Sequence, residues 1–185
     1  SPNHLVLLAR DNTGYRNLMQ LVTRAHVEGF HYKPRIDRDL LDQYHQGLVA
    51  LSGCASAELP RRIADGNMAD ARAGALWYKE LFGDGYFLEL QQHEHVPQMS
   101  EINQGLIALS KELDLPLVVT NDAHYVRQSE SPLQDVYICI QTNTTIQDER
   151  RLRMEDDSYY LKSPREMMDL YPELPEAIDN TQRIA

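Results

Sequence analysis

The chain is poor in cysteine: Cys54 and Cys139 are the only two among 185 residues. Its start, Ser1-Pro2-Asn3-His4, lacks the charged-then-apolar pattern of an export signal. The two thiols therefore read as reduced, and the setting as cytosolic. No apolar run approaches the ~18 residues of a membrane span, which excludes a membrane-spanning function. Basic residues are the minority, 18 against 28 acidic, for a net charge of −10. That balance argues against a chain that grips nucleic acid through a broad basic surface of its own. It leaves open a site that handles a phosphodiester through metals, or DNA contacts made elsewhere in a larger protein. A glycine-rich phosphate loop is missing. Ser52 lies beside Gly53 but is not centred in a Gly-x-Ser-x-Gly, and no triad completes it, so a serine hydrolase is discarded. There are no internal repeats and no low-complexity tracts. The initiator Met is also missing, and the chain is expected to be cut from within a longer protein.

What is present is ordinary for a globular domain: 42% hydrophobic and 25% charged residues, enough for one core over residues 1–185. Leu5-Val6-Leu7-Leu8-Ala9 reads as a strand. A helix follows from Tyr15 to about Glu28, with Leu18, Leu21, Val22 and Ala25 on one stripe. Asp37 is placed to cap a short helix, Arg38 to Tyr44. Gly47 to Ser52 reads as a second strand, ending at Gly53-Cys54. Ala57 to Ala64 and Asn67 to Phe82 look helical. Tyr86 to Gln91 is a third strand, Glu101 to Leu113 an amphipathic helix, and Leu117 to Val119 a fourth strand. Val136 to Gln141 fits strand or helix, and Gln141 to Asp157 a polar surface loop. Ser163-Pro164-Arg165-Glu166 matches a helix start, and a final helix runs from about Leu174 through Ile184. Alternating strands and helices imply parallel strands with right-handed crossovers, in a barrel or an open sheet.

The chemistry gathers at strand ends. Asp122 and His124 follow the fourth strand two residues apart. In extended chain, residues i and i+2 point to one face, so the two would aim a carboxylate and an imidazole at one point. That pair suits a divalent metal or acid/base work; a capping Asp and a surface His is the plainer alternative. Cys54 ends the second strand and is either a metal thiolate or a small buried hydrophobe. Cys139 lies in an apolar run and reads as packing. His93 and His95 have metal-ligand spacing, but Gln92, Glu94 and Pro97 around them look like an exposed loop. His4 precedes the first strand, the wrong end for a site at the carboxyl ends. His26, His31 and His45 read as surface residues.

Several segments together resemble a known family. They are His4-Leu5-Val6-Leu7-Leu8-Ala9-Arg10-Asp11-Asn12-Thr13-Gly14-Tyr15-Arg16-Asn17-Leu18, Tyr32-Lys33-Pro34-Arg35-Ile36-Asp37, Leu51-Ser52-Gly53-Cys54, Ala75-Leu76-Trp77-Tyr78-Lys79-Glu80-Leu81-Phe82-Gly83, Thr120-Asn121-Asp122-Ala123-His124-Tyr125, Tyr159-Tyr160-Leu161-Lys162-Ser163-Pro164, and the closing Leu174-Pro175-Glu176-Ala177-Ile178. This set resembles the PHP (polymerase and histidinol phosphatase) domain, in the branch found in bacterial DNA polymerase III alpha subunits. The resemblance implies an α/β fold: an incomplete PHP-type distorted (βα)7 barrel with mainly parallel strands. It implies divalent ions (Zn, Mn or Mg), three of them in complete domains, and phosphoester hydrolysis, in some members as a 3′–5′ proofreading exonuclease. Carried over, Cys54 falls on a ligand position, Asp122 and His124 on the final ligand pair, and His4 near another.

The family's amino-terminal His-x-His, Asp-His-Gly and ligand Glu are not in this sequence and would lie upstream of Ser1; a polymerase domain would follow Ala185. The implied partners are DNA, through the full-length protein, and other polymerase III holoenzyme subunits. The segment alone is expected to be inactive and poorly stable, because an opened barrel leaves strand edges unpaired. A structural module that braces the polymerase or docks a partner is the rival reading. A stand-alone sugar-phosphate phosphatase is disfavoured by the Tyr-Lys-Pro-Arg-Ile-Asp and Tyr-Leu-Lys-Ser-Pro segments.

Overall fold

The structure, a computed structural model, describes residues 2–154 and 156–185. What the sequence suggests for Ser1, and for Glu155 within the polar loop, lies outside the described residues. Among these, four strands form one mixed sheet: β1 (Val6–Ala9), β2 (Leu48–Leu51), β3 (Tyr86–Leu90) and β4 (Leu117–Val119), in the order β1-β2-β3-β4. Eight α-helices accompany them: α1 (Asn12–Val27), α2 (Arg38–Tyr44), α3 (Glu58–Ala64), α4 (Met68–Phe82), α5 (Met99–Leu113), α6 (Ser131–Thr142), α7 (Pro164–Leu170) and α8 (Pro175–Ile184). The region between β3 and β4 is one βαβ unit around α5. No helix among the described residues is long and apolar enough to cross a membrane.

The helix starts follow local side-chain chemistry. Asp11 accepts a hydrogen bond from the Gly14 N–H at 2.8 Å and starts α1 three residues before Tyr15. Asp37 accepts from Leu40 N–H at 2.9 Å and caps α2 as expected. Ser163 and Glu166 form a reciprocal capping box at α7. The apolar segment at Val136 resolves to helix, within α6. The stripe on α1 is narrower than its spacing suggests: Leu21 is 2% exposed but Val22 is 50% exposed.

The strands pair parallel from β2 to β4, but β1 runs antiparallel to β2, with Val6 opposite Leu51 and Ala9 opposite Leu48. The sheet is thus mainly parallel, and β1 departs from the parallel strands that the alternation of strands and helices implied. The reason lies in the connection. α1 and α2 double back, and the chain returns to the end of β1 it has just left. There, Arg10 N–H donates to the Gly47 carbonyl at 2.8 Å. The return is tight enough that a Cβ on Gly14 would fall 1.8 Å from the Gly47 oxygen. A strand re-entering beside the point of departure runs in the opposite direction.

One face of the sheet carries the main core. Ala50, Tyr86, Leu88 and Leu90 pack there against Leu59, Ala71, Ala75, Leu106 and Leu109 from α3, α4 and α5. The other face is thinner: Val49, Leu51, Phe87 and Val118 meet Ile184 of α8. α8 wraps the β4 edge, with Ala177 in the main core and the Asn180 amide donating to the Leu117 carbonyl at 2.8 Å. Glu89 lies on the thin face, between Phe87 and Gln91 in the alternation of β3.

Candidate functional site at one end of the sheet

Three parallel strands deliver their carboxyl ends to one place. β2 runs into Ser52-Gly53-Cys54. Ser52 is held from both sides: its N–H donates to the Phe87 carbonyl at 2.9 Å, and its hydroxyl accepts from the Glu89 N–H at 2.8 Å. Gly53 has φ +85°, and a Cβ there would lie 2.9 Å from the Ala57 Cβ. Glycine is thus required where the chain turns sharply to present Cys54. The Cys54 carbonyl accepts from Ala57 N–H at 2.8 Å, closing the turn.

His4 stands beside it. Its Nδ1 is 3.2 Å from the Cys54 Sγ, and its N–H reaches the Ser56 carbonyl at 3.4 Å. The placement of His4 at the wrong end is therefore corrected. Because β1 is antiparallel, its start, not its finish, lies next to the carboxyl end of β2. Burial first, then the nearby Asp122 and Glu89 carboxylates, push the Cys54 thiol above its ordinary value. A cation in their midst would reverse that balance and favour the thiolate.

β4 ends at Val119, and the chain does not stay extended. Asp122 has φ +46°, in the left-handed region that Asp tolerates better than most residues. The pleat argument for Asp122 and His124 therefore fails in its mechanism: two successive side chains on one face are not what brings them together. A local bond does so instead. The His124 Nδ1–H donates to the Asp122 carbonyl at 2.5 Å. A carbonyl can only accept, so Nδ1 carries the proton and Nε2 keeps the lone pair that a ligand nitrogen needs. A neighbouring segment braces the turn. Asn121 donates to the Ser158 and Tyr160 carbonyls at 2.8 and 2.7 Å, Lys162 donates to Asn121 Oδ1 at 3.0 Å, and His124 N–H donates to the Tyr159 carbonyl at 2.8 Å.

Sequence reasoning missed Glu89. It is 5% exposed, on the central strand, and its carboxylate touches both neighbouring strand ends. Oε2 accepts from the Gly53 N–H at 3.0 Å; Oε1 accepts from the Thr120 hydroxyl at 2.5 Å and the Gln91 amide at 3.1 Å. One side chain on β3 thus ties the turn before Cys54 to the chain before Asp122. The signal was there to read: a single acid in the apolar run Tyr86-Phe87-Leu88-Glu89-Leu90. Burying a carboxylate is costly unless it is bonded to several donors, as here. Even so, burial leads, and Asp122 adds to it, so the Glu89 carboxyl sits above its ordinary value.

His93 is also not where its neighbours suggested. It is 2% exposed, while His95 two residues on is exposed. His93 stacks on Tyr159 with ring centres 3.9 Å apart, and Tyr159 in turn meets His124 edge-on at 5.6 Å. His93 Nδ1 lies 2.6 Å from the Ser158 hydroxyl, and its Nε2 is buried with no hydrogen-bond partner among the described residues. Cys139 is buried in α6 as packing, and His26 and His31 are exposed.

The structure thus brings His4 into contact with Cys54, and sets Asp122 where its charge acts on Cys54, Glu89 and His93. It does not assemble a complete ligand cage: no group of three or more His, Cys, Asp or Glu able to hold a metal ion occurs among the described residues. The donors that are present, an imidazole against a thiol and a carboxylate beside a second imidazole, have the chemistry of Zn²⁺ or Mn²⁺ ligands.

Comparison with known proteins gives the family. The family profile of the PHP domain matches residues 1–93. The chain is 43% identical over 182 residues to a DNA polymerase III subunit alpha of Borreliella burgdorferi. It is 44% identical over 185 residues to that of Deinococcus radiodurans, and 44% over 183 residues to that of Treponema pallidum. Each match covers 98% of this chain but only 14–16% of the relative, so the chain spans about one sixth of the length of these relatives.

Proposed function

Because the chain belongs to the PHP domain family, we propose that it forms the PHP part of a bacterial replicative DNA polymerase III alpha subunit and contributes to a metal site for phosphodiester hydrolysis, used for 3′–5′ proofreading. The observation that carries this reading is the 3.2 Å contact of His4 with Cys54, at the same sheet end as Asp122 and His124. Residues separated by 50 to 120 positions in sequence converge there, all of them of metal-ligand type. The four-stranded sheet reads as an arc of a distorted barrel, its thin face turned inward. DNA and the other holoenzyme subunits are the partners, and the cytoplasm the setting.

In this reading Cys54, His4, Asp122 and His124 hold divalent ions, Zn, Mn or Mg. Such ions, when bound, activate water and offset the charge on the phosphate. The residues of the chain do the positioning. Glu89 fixes the spacing of the two ligand-bearing turns. The Asp122 carbonyl accepts from His124 Nδ1–H and so keeps Nε2 bare. Asn121 ties the turn to the segment after residue 157, and Lys162 of that segment bonds back to Asn121.

Two experiments test the reading. Asp122→Asn in the intact subunit abolishes exonuclease activity and spares polymerisation; undiminished proofreading overturns it. Zn²⁺ protects Cys54, but not Cys139, from alkylation; equal rates with and without metal remove Cys54 from the ligand set. A second reading, a non-catalytic module that docks a partner, draws on α6. Leu133, Tyr137 and Ile140 share one stripe and are 60%, 66% and 71% exposed. It gains if Asp122→Asn leaves proofreading intact while Tyr137→Asp weakens subunit association.

A further inference from the structure

We propose that the loop of residues 29–35, which joins α1 to α2, is a contact for single-stranded DNA at the rim of this site. The Tyr32 ring stacks on an unpaired base, and Lys33 and Arg35 meet the flanking phosphates. For the destination of the strand the inference rests on the hydrolytic reading above; the contact itself is tested without hydrolysis. The elements on either side place the loop. α1 leaves the end of β1 farthest from His4, packs back along that strand and runs for 16 residues, about 24 Å. It therefore returns the chain to the end where His4 meets Cys54. Beyond the loop, Arg38 of α2 pairs with Glu58 Oε1 at 2.7 Å. Glu58 opens α3 directly after Ala57, the residue that closes the Cys54 turn.

Within the loop the backbone is fixed. His31 N–H donates to the Lys33 carbonyl at 3.1 Å, and the Arg35 guanidinium donates to the His31 carbonyl at 2.5 Å. Gly29 lies so close to Arg35 that a Cβ there would fall 2.0 Å from the Arg35 oxygen. Between these contacts Tyr32 is held at φ +61°, a conformation that strains a bulky residue and suits glycine. Burial does not repay the strain. Tyr32 is 88% exposed, the most exposed aromatic residue among those described. The His31 ring meets it edge-on, with centres 4.7 Å apart, and Phe30, 59% exposed, adds a second ring. The chain thus sustains a strained turn to hold an aromatic ring out in water, which is what a stacking platform requires.

Charge selects the partner. Residues 29–35 include Lys33 and Arg35 and no acid, in a chain of net charge −10. Lysine is depleted at protein–protein interfaces, whereas cations interleaved with aromatic rings follow a phosphate backbone. The loop also lacks the continuous apolar stripe that α6 presents. A ring stacks on a base only where the face of that base is free, so the strand it fits is single.

The test is photocrosslinking in the intact subunit. An oligothymidylate carrying iodouracil is irradiated with the protein, and the joined peptide is identified by mass spectrometry. The expected crosslink falls within residues 29–35, at Tyr32, and Tyr32→Phe retains it. Tyr32→Gly removes the ring and relieves the backbone; it keeps the thermal midpoint of the parent and lowers the crosslink yield about 5–100-fold. The same variant raises the exonuclease KM for single-stranded DNA and leaves kcat and polymerisation unchanged. No crosslink in this segment, or equal yields from the parent and Tyr32→Gly, overturns the proposal. So does a lowered thermal midpoint in Tyr32→Gly, which makes the ring structural, or weakened subunit association with crosslinking unchanged, which assigns the loop to a protein partner. A parent that crosslinks at Tyr32 but hydrolyses no DNA overturns the hydrolytic reading and leaves the DNA contact standing.

Discussion

Removing Glu89 should loosen the site from a distance, and the structure sets the size of the effect. Glu89→Ala deletes an acceptor shared by the Gly53 N–H, the Thr120 hydroxyl and the Gln91 amide. Thr120 and Gln91 can turn to other partners. The Gly53 N–H cannot, because its backbone is fixed at φ +85° between Ala57 and His4. A buried donor without an acceptor costs about 1–3 kcal/mol, and bonds to a charged group about 1.5–3 kcal/mol each. Discounting the two mobile donors leaves about 3 kcal/mol for Glu89→Ala. Glu89→Gln should cost about 1 kcal/mol: its oxygen can face Gly53 while its amide donates to a Thr120 hydroxyl that has reversed.

The assay is hydrogen–deuterium exchange at the Gly53 amide in the intact polypeptide, corrected for intrinsic rates. A loss of ~3 kcal/mol lowers protection about 100-fold, and the Gln variant about 5-fold. The pH dependence gives an independent check. Burial raises the Glu89 carboxyl above its ordinary 4.5 in the folded chain, so the folded state holds this proton more tightly than the unfolded state. The stability tied to it is fully present below 4.5 and is lost as pH rises through the raised value. The gap between the parent and Glu89→Gln should therefore narrow with rising pH across that window. If Gln proves as damaging as Ala, or the gap is flat with pH, the carboxylate is not the brace.

Three further outcomes follow from the same contacts. The Ser163 hydroxyl and N–H, then the Tyr160 hydroxyl, draw the Glu166 carboxyl down to about 2 from its ordinary 4.5; carboxyl NMR titration should show that midpoint, and Ser163→Ala should move it back toward 4.5. The capping-box contribution to α7 is correspondingly present above 4.5 and lost as pH falls toward 2. Gly53→Ala forces a side chain into φ +85° and against the Ala57 Cβ; it should cost about 1–3 kcal/mol, read as a lower thermal midpoint, and should change Cys54 alkylation more than Cys139 alkylation. Leu88→Ala empties a fully buried position in the main core. It should cost about 2–5 kcal/mol, seen as a lower urea midpoint with an unchanged slope, and a loss under 1 kcal/mol would mean the sheet face is less tightly packed than described.

Much of this protein could be read along the chain. The four strands, the caps at Asp37 and Ser163, and the helix that starts after Asn67 are local features. Short-range periodicity and side-chain-to-backbone bonds dictate them. Cys54, Asp122 and His124 could be named as candidates because each follows an apolar strand, and the resemblance of whole segments to the PHP domain tied them to one chemistry. Glu89 was legible too, as a lone charge in a buried run, though its role was not.

The direction of β1 was decided only by the tertiary structure. An alternating or apolar pattern reads the same forwards and backwards, so it reveals a strand's faces and not its orientation. That orientation is fixed by where the connection lets the chain return, here by Gly14 against Gly47, 33 positions apart in the sequence. Only then does His4 meet Cys54. The burial of His93 is of the same kind: its own neighbours are exposed, and Ser158 and Tyr159, more than 60 residues away, bury it. Residue types and strand ends are local properties that the amino-acid order alone determined. Which of them meet depends on long-range closure of the chain, and that was settled by packing.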